Sequence, residues 1–224
     1  MNIPPAPVTS PPSTKTRLIV ILVLAFGSLL LASVAVLWLR PRAPAPAAVA
    51  ESGVMRVAGA AIGGPFQLID QTGRTVSEAD FAGRFMLIYF GFTHCPDICP
   101  TELQVMANAV DALGEDEARV VPVFITVDPE RDRPELIKDY VAAFHPKMVG
   151  LTGSVDQVTA AAKAYKVYFS KQPGAGGNVN DYQVDHTPFV YLVGPDGVLR
   201  SVFRSGTSTK AMAGEILAQL RQAN

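Results

Sequence analysis

Two apolar runs with a helical pattern between them constrain the fold of this chain most strongly. Residues 85–90 and 120–127 are almost entirely apolar, which is typical of strands that are buried on both faces. Between the two runs, Leu103, Met106 and Val110 recur at helical spacing. A strand, a helix and a second strand in this order indicate an α/β fold.

Turn and helix signals extend this unit in both directions. Residues 66–70 and 74–76 predict a hairpin, and residues 189–193 and 198–203, around Pro195-Asp196-Gly197, predict another. Helices are expected to start near Pro134, which Asp132 and Glu135 flank, and near Ser154, and a last helix carries Met212, Ile216 and Leu220 on one face. This order of strands and helices along the chain predicts a mixed sheet flanked by helices, an arrangement that resembles the thioredoxin fold.

The N-terminal part has a different composition. Residues 1–17 are rich in Pro, Ser and Thr and contain no acidic residue, so we expect a disordered tail. Residues 18–39 are uncharged and mostly aliphatic, which is long enough for one transmembrane helix. A cleaved secretory signal is the alternative, but its apolar region is usually shorter, about 7–15 residues.

A linker and one globular domain are expected to follow the apolar segment. Residues 40–58 are rich in Pro and Ala and predict a semi-rigid linker, and residues 59–222 are assigned to the globular domain. Basic residues flank both ends of the apolar segment equally, so the charge rule does not orient it. A short tail, one span and a large C-terminal domain favour a domain outside the cytosol.

Charge and cysteine content exclude two broad classes. A formal net charge of −1 gives no support for a nucleic-acid partner. Two cysteines cannot form the disulfide framework of a small secreted domain. The pair must therefore be a reactive couple, a metal-binding couple or one isolated disulfide.

Cys95 and Cys99 follow directly on the first apolar run. The carboxyl ends of strands are where open α/β sheets place their functional sites. We expect Cys95 at the N-terminus of the next helix, where free amide groups lower the pKa of a thiol. Cys99, four residues later, would lie on the same helical face.

The spacing of the two cysteines leaves three chemistries open. Thioredoxin-type redox pairs usually have two intervening residues, whereas this pair has three, and a peroxidase needs only one activated thiolate. A metal ion would need a further ligand, and His186, just before the strand predicted at 189–193, is the candidate because thiolate and imidazole both suit Cu(I). His94 and His145 are not expected to be ligands.

Four segments of the sequence resemble the Sco/SenC family. The segments are YFGFTHCPDICPTEL (89–103), TVDPERD (126–132), DYQVDHT (181–187) and YLVGPDG (191–197). They occur in the same order as in the family, and the resemblance covers residues 60–222. The resemblance implies a thioredoxin-like, membrane-tethered copper protein that assists assembly of the dinuclear copper centre in subunit II of cytochrome c oxidase.

The resemblance also implies a ligand set. Cys95, Cys99 and His186 match the family's ligands for copper, as Cu(I) or Cu(II), and the two cysteines can form a redox disulfide. Asp128 and Asp185 match acidic positions near the metal and are expected to support it. Pro188 is expected to pack near the two sulfur atoms, with the Thr187–Pro188 bond either trans or cis.

These implications lead to a functional hypothesis and an alternative to it. The hypothesis is a copper metallochaperone for subunit II, supplied by an upstream copper donor and a thiol reductant. The alternative is a thiol–disulfide oxidoreductase that reduces the cysteines of the acceptor subunit. Because residues 1–17 lack the Arg-rich pattern of a mitochondrial presequence, we expect a bacterial inner-membrane protein with its domain in the periplasm.

Overall fold

A computed structural model describes residues 53–57, 61–173 and 182–223. The strands in these ranges are β1 (Val54–Arg56), β2 (Gln67–Asp70), β3 (Thr75–Ser77), β4 (Phe85–Gly91), β5 (Val120–Thr126), β6 (Val149–Thr152), β7 (Phe169–Pro173), β8 (Tyr182–His186), β9 (Val190–Val193) and β10 (Leu199–Phe203). The α-helices are α1 (Ile98–Asp111), α2 (Pro134–Ala142), α3 (Val155–Ala164) and α4 (Thr209–Gln222).

Eight of these strands form one mixed sheet in the order β1-β10-β9-β4-β5-β6-β2-β3. The central strands β4, β5 and β6 are parallel, and β9 joins β4 in the antiparallel direction. Both predicted hairpins are present, as β2–β3 and β9–β10. The predicted mixed α/β sheet of thioredoxin type, with helices against it, is confirmed.

The core lies on both faces of β4 and β5, in which every residue is buried. Tyr89 is paired in register with Phe124, and the Phe124 ring contacts Tyr140 of α2. Phe90, the next residue along β4, contacts Tyr165 at the end of α3. Because successive side chains of a strand point to opposite faces, α2 and α3 cover different faces of the sheet.

Local signals fix two of the helix starts. Ser154 caps α3 through a capping box with Gln157, as the sequence predicts. Pro134 is the first residue of α2, but Arg133 occupies the cap position and makes no side-chain capping bond. Asp132, which had marked this helix start in the sequence, is buried and bonded elsewhere.

The sheet begins earlier than predicted. Strand β1 pairs with β10 and lies inside the segment 40–58 that was assigned to a linker. A strand of three residues is too short to show an alternation of apolar and polar side chains, which explains why sequence periodicity missed it. The described part of the folded domain therefore starts before residue 59.

The predicted tail (1–17) and transmembrane helix (18–39) lie outside the described residues. None of the helices in the described ranges is both long enough and apolar enough to cross a membrane.

Strands β7 and β8 form a separate two-stranded hairpin outside the main sheet. The sequence predicted His186 in a loop before a strand, but His186 is the last residue of β8 and is paired with Phe169 of β7. Polar and exposed residues dominate β7, so its sequence carries little of the signal by which a buried strand is recognised.

Candidate metal centre

Cys99 forms the buried side of the candidate site. It is the second residue of α1 and is fully buried, and the hydroxyl group of Tyr89 donates to its Sγ atom at 3.7 Å. At Gly91, a Cβ atom would lie 3.0 Å from that sulfur and 2.8 Å from the Tyr89 ring. The absence of a side chain at Gly91 therefore provides the space that the Cys99 sulfur occupies.

Cys95 forms the outer side of the site. It is half-buried and lies in a turn before α1, where its amide donates to the carbonyl oxygen of Phe92 at 3.3 Å. The amide of Cys99, in the first turn of α1, donates to the Cys95 sulfur at 3.4 Å. Cys95 thus precedes the helix that was expected to start at it, but its sulfur still receives a free amide of the helix N-terminus.

The two sulfur atoms differ in acidity. Hydrogen bonding to Cys99 is the main cause that lowers the pKa of the Cys95 thiol to about 4. Burial opposes this shift, and the amides of Asp97 and Cys99 assist it. The pKa of Cys99 is raised by its hydrogen bond with Cys95 and by burial. Cys95 therefore carries the first negative charge of the pair.

His186 brings an imidazole nitrogen to the buried sulfur. Its Nε2 atom lies 3.4 Å from Cys99 Sγ, and its ring meets the rings of Tyr89 and Phe92 edge-on, with 5.9 Å between centroids in both pairs. Nδ1 lies 3.3 Å from the carbonyl oxygen of Thr187. A carbonyl oxygen only accepts, so Nδ1 donates and the lone pair of Nε2 remains for a metal ion.

Asp128 is hydrogen-bonded to this hairpin and has no hydrogen bond to either sulfur atom. Its fully buried carboxylate accepts from the hydroxyl of Tyr182 at 2.6 Å and from Arg131. The Arg131 guanidinium covers the Tyr182 ring at 3.7 Å and donates to the Tyr182 carbonyl oxygen at 3.1 Å. Asp128 therefore anchors the strand that carries His186.

The other two residues expected to support the metal are placed differently. Asp185 is exposed and precedes His186 in β8, so their side chains point to opposite faces of the strand. Pro188 is half-buried, two residues after His186, and its peptide bond is trans, since no bond in the described residues is cis. The expected packing of Pro188 against the sulfur atoms stays a prediction.

The sequence did not predict a role at the site for Tyr89, Gly91, Phe92 or Asp132. The first three lie in or beside a continuous apolar run, where a residue that faces the site looks like any other core residue. Asp132 has a fully buried carboxylate. Burial raises its pKa, and hydrogen bonds from Thr126 and Thr93 oppose that rise. In the sequence, Asp132 and Glu135 on either side of Pro134 look like the start of a helix. This pattern concealed the role of Asp132 at the site.

A second group of ligand types occurs elsewhere in the described residues. Three potential ligand atoms lie within 4.8 Å of one another, one each from Asp111, Glu117 and His145. However, Nδ1 of His145 accepts from the amide of Lys147 at 3.1 Å, so Nε2 carries the proton and donates towards the two carboxylates. The ammonium of Lys147 also pairs with Glu117 at 2.7 Å, and the group is an ion-pair cluster.

The arrangement at Cys95, Cys99 and His186 supports two chemistries. Two free thiols and one imidazole nitrogen form a soft ligand set that suits Cu(I). An acidic, accessible thiol beside a buried one is also the arrangement for thiol–disulfide exchange.

Comparison with known proteins shows extensive similarity. The SCO1/SenC family model matches residues 55–221. The human mitochondrial SCO1 homolog is 44% identical over 162 residues, which are 71% of this chain and 53% of that protein. The chain spans about half the length of several of the curated relatives that it matches.

Solved structures give the same result. Copper-bound ScoI of Arabidopsis thaliana superposes with a TM-score of 0.68 at 42% identity, over 72% of this chain and 99% of that chain. BsSco, described as a member of the Sco family of cytochrome c oxidase assembly proteins and as having a disulfide switch, superposes with a TM-score of 0.57 at 27% identity, over 75% of this chain and 96% of that chain.

Proposed function

Because the chain belongs to the SCO1/SenC family, we propose that it is a membrane-anchored copper metallochaperone that delivers copper to the dinuclear copper site in subunit II of cytochrome c oxidase. The observation that carries the proposal is the approach of His186 Nε2 to Cys99 Sγ, at 3.4 Å, beside a second free thiol. Similarity to a copper-bound Sco protein supports the choice of metal.

Copper is the cargo in this proposal, and three side chains hold it. Cys95 is ionised first because its pKa is lowered, so it offers a thiolate to the incoming ion. The raised pKa of Cys99 means that copper displaces a proton there, and uptake is coupled to proton release. His186 supplies nitrogen, and the ion leaves by exchange of these ligands for those of the acceptor.

Oxidation switches the same site off. If Cys95 and Cys99 lose two electrons and two protons to an oxidant, a disulfide forms and both thiolate ligands disappear. The sulfur atoms are free in this structure. A thiol reductant must therefore maintain the pair wherever the surroundings are oxidising.

The proposed location is the bacterial inner membrane, with a single span at residues 18–39 and the globular domain in the periplasm. The length and apolar character of that segment support a span. A C-terminal alkaline phosphatase fusion tests the orientation, because the enzyme is active only after export; an inactive fusion in intact cells contradicts it.

A thiol–disulfide oxidoreductase is the second candidate function. Two differences between the cysteines favour this function: Cys95 is half-buried and has a lowered pKa, whereas Cys99 is buried and has a raised pKa. Cys95 would attack the acceptor disulfide, and Cys99 would then attack the mixed disulfide, so that one S–S bond forms in this chain and one is reduced in the acceptor. His186 has no required part in that exchange.

Copper stoichiometry of the reduced, full-length chain tests the first proposal. We expect one Cu(I) ion per chain, none in Cys95→Ala and a strongly weakened site in His186→Ala. His145→Gln is the matched control, because His145 belongs to the separate ion-pair cluster and its replacement should leave copper binding intact. Unchanged copper binding in Cys95→Ala and His186→Ala would refute the proposal.

The same variants separate the two functions. Metal-free, reduced protein is mixed with an oxidised fragment of subunit II, and the free thiols of the fragment are counted. Reduction of the fragment that persists in His186→Ala supports the oxidoreductase, whereas no reduction by the wild-type chain removes it.

A further inference from the structure

A buried carboxylate lies beneath the turn that carries Cys95, and copper binding by the three ligands does not require it. The side chain of Asp132 has no exposed surface, and burial of a charged group is costly unless donors surround it. Its donors are the amide of Thr93 at 3.0 Å, the hydroxyl of Thr93, and the hydroxyl of Thr126 at 2.6 Å. Two of these three bonds hold Thr93.

The carboxylate is itself fixed in position. The amide of Asp132 donates to the carbonyl oxygen of Asp128 at 2.9 Å, and its own carbonyl oxygen accepts from the hydroxyl of Thr152 at 2.8 Å. Asp132 therefore connects the turn before α1 to the ends of β5 and β6, and it defines the orientation of Thr93.

The hydrogen bonds have a direction that reaches His94. Since a carboxylate only accepts, the hydroxyl proton of Thr93 points to Asp132. The Thr93 oxygen is then free to accept, and Nδ1 of His94 lies 3.1 Å from it. Nδ1 of His94 consequently carries the proton, and the lone pair of its Nε2 atom is available.

The ring that carries this nitrogen is accessible to solvent. The His94 side chain is 48% exposed and directly precedes Cys95, the half-buried thiol. The bond from the Cys95 amide to the Phe92 carbonyl oxygen closes a turn with Thr93 and His94 at its two central positions. Cys99 lies deeper, with no exposed surface, so an ion that arrives from solvent reaches the His94–Cys95 pair before it reaches Cys99.

We propose that His94 is a transient copper ligand, with Thr93 and Asp132 as its positioning residues. It receives Cu(I) from the donor when copper enters and passes Cu(I) to the acceptor when copper leaves. The inference rests on the proposed copper transfer. During entry, a bond from copper to His94 Nε2 forms as a donor ligand leaves, and that bond breaks when Cys99 and His186 complete the resident site. No electron is transferred, and the protons released come from the thiols.

Transfer kinetics in the reduced, full-length chain test the proposal. The copper-loaded protein is mixed with the Cu(I) chelator bathocuproine disulfonate, and transfer is followed by stopped flow. Loss of a ligand that acts only during exchange should slow transfer about ten-fold, in both directions, while the equilibrium constant changes little. We expect this separation of rate from affinity in His94→Ala.

Paired variants separate ligation from structural support. Asn can place its amide nitrogen near the position of Nδ1 and keep the bond to Thr93, but it has no counterpart of Nε2. His94→Asn should therefore be as slow as His94→Ala. Thr93→Val, which loses the hydroxyl, should also be slow, whereas Thr93→Ser should restore the wild-type rate. Wild-type transfer rates in His94→Asn would overturn the proposal.

A measurement without copper tests the orientation independently. The chain has three histidines, so their ring nitrogens can be resolved by ¹⁵N NMR of the metal-free protein. Nδ1 of His94 should be protonated in the wild type and in Thr93→Ser, and the proton should redistribute in Thr93→Val. Protonation at Nε2 in the wild type would contradict the inference. A wild-type chain that binds no copper would instead refute the proposed function.

Discussion

The two sides of the candidate metal centre are built differently. Cys99 and Tyr89 belong to α1 and β4, where the surrounding residues are part of the main core. His186 belongs to the β7–β8 hairpin, which is separate from the main sheet and largely exposed on β7. The difference indicates that the core encloses the sulfur side, whereas the nitrogen side joins the core only through the contacts of a few β8 residues.

Those contacts lie at the two ends of β8. At its start, Tyr182 is held by Asp128 and Arg131; at its end, the His186 ring lies against Tyr89 and Phe92. A ligand on such an element can withdraw at a lower energetic cost than one in the core, because few buried contacts are lost. Such a withdrawal would favour the copper release that we propose for this protein.

The largest expected contrast is between the two thiols. In the metal-free, reduced protein, iodoacetamide should modify Cys95 at least about 100-fold faster than Cys99, because Cys95 is partly exposed and its pKa is lowered. The thiolate fraction of Cys95 falls only as the pH falls through about 4. The rate of Cys95 modification should therefore be constant from about pH 6 to 8, whereas the rate for an ordinary thiol rises over this range.

Mass spectrometry after timed labelling measures this contrast. Protein unfolded in urea is the control, in which the two cysteines should react at similar rates. Equal rates in the folded protein would show that Cys99 is not enclosed by the core.

Gly91→Ala should produce the largest loss of stability among the substitutions considered. The new Cβ atom would meet the Tyr89 ring, Cys99 Sγ and the Phe124 ring at 2.8–3.1 Å, and overpacking of this kind costs about 1–3 kcal/mol. Gly214→Ala is the matched control, since a Cβ atom there meets nothing within 4 Å and alanine favours the helix by about 0.5–1 kcal/mol. Urea unfolding measures both; a neutral Gly91→Ala would contradict a rigid sulfur side.

Tyr182→Phe tests the attachment of the hairpin. The variant removes the hydroxyl that donates to the buried Asp128 carboxylate at 2.6 Å, and leaving a buried acceptor with one bond fewer costs about 1–2 kcal/mol. Copper affinity should fall as well, because β8 carries His186. Tyr168→Phe is the control, since that side chain is 65% exposed. If copper affinity does not change, the contact with Asp128 does not position the nitrogen.

His186→Ala should have the smallest effect on folding. In the metal-free protein we expect the free energy of unfolding to fall by only about 0.5 kcal/mol, the low end for loss of edge-on ring contacts. A loss comparable with that of Gly91→Ala would mean that the His186 ring is packed as tightly as the sulfur side of the site. Urea unfolding of the metal-free variant beside the metal-free wild type provides the measurement.

The sequence predicted the central elements because their signals are local. Strands β4 and β5 are long apolar runs, and the capping box at Ser154 is a short-range pattern. The β7–β8 hairpin was missed because β7 is largely polar and exposed, and because β8 alternates buried and exposed residues over only five positions. Strand β1 was missed because it is only three residues long.

The candidate site was predictable in part. Cys95 and Cys99 stand out in the sequence as the only two cysteines. Position and ligand chemistry made His186 a candidate third ligand, but only the family resemblance selected it. The supporting residues Tyr89 and Gly91 were hidden in an apolar run, since only the register of a folded sheet shows which side chains face the sulfur atoms. Likewise, Asp132 acquires its role only when the turn before α1 meets the end of β5.

Strand β1 also determines how the sheet would respond to mechanical load. Any tension in the preceding chain enters the sheet at this edge strand, which pairs with β10 over three residues and whose Arg56 forms a two-pronged ion pair with Glu215 of α4. Four strand-to-strand boundaries separate β1 from β5, and three separate it from β4. Tension on the N-terminal end of β1 would detach this short strand first, while the part of the sheet that supports the two thiols keeps its shape.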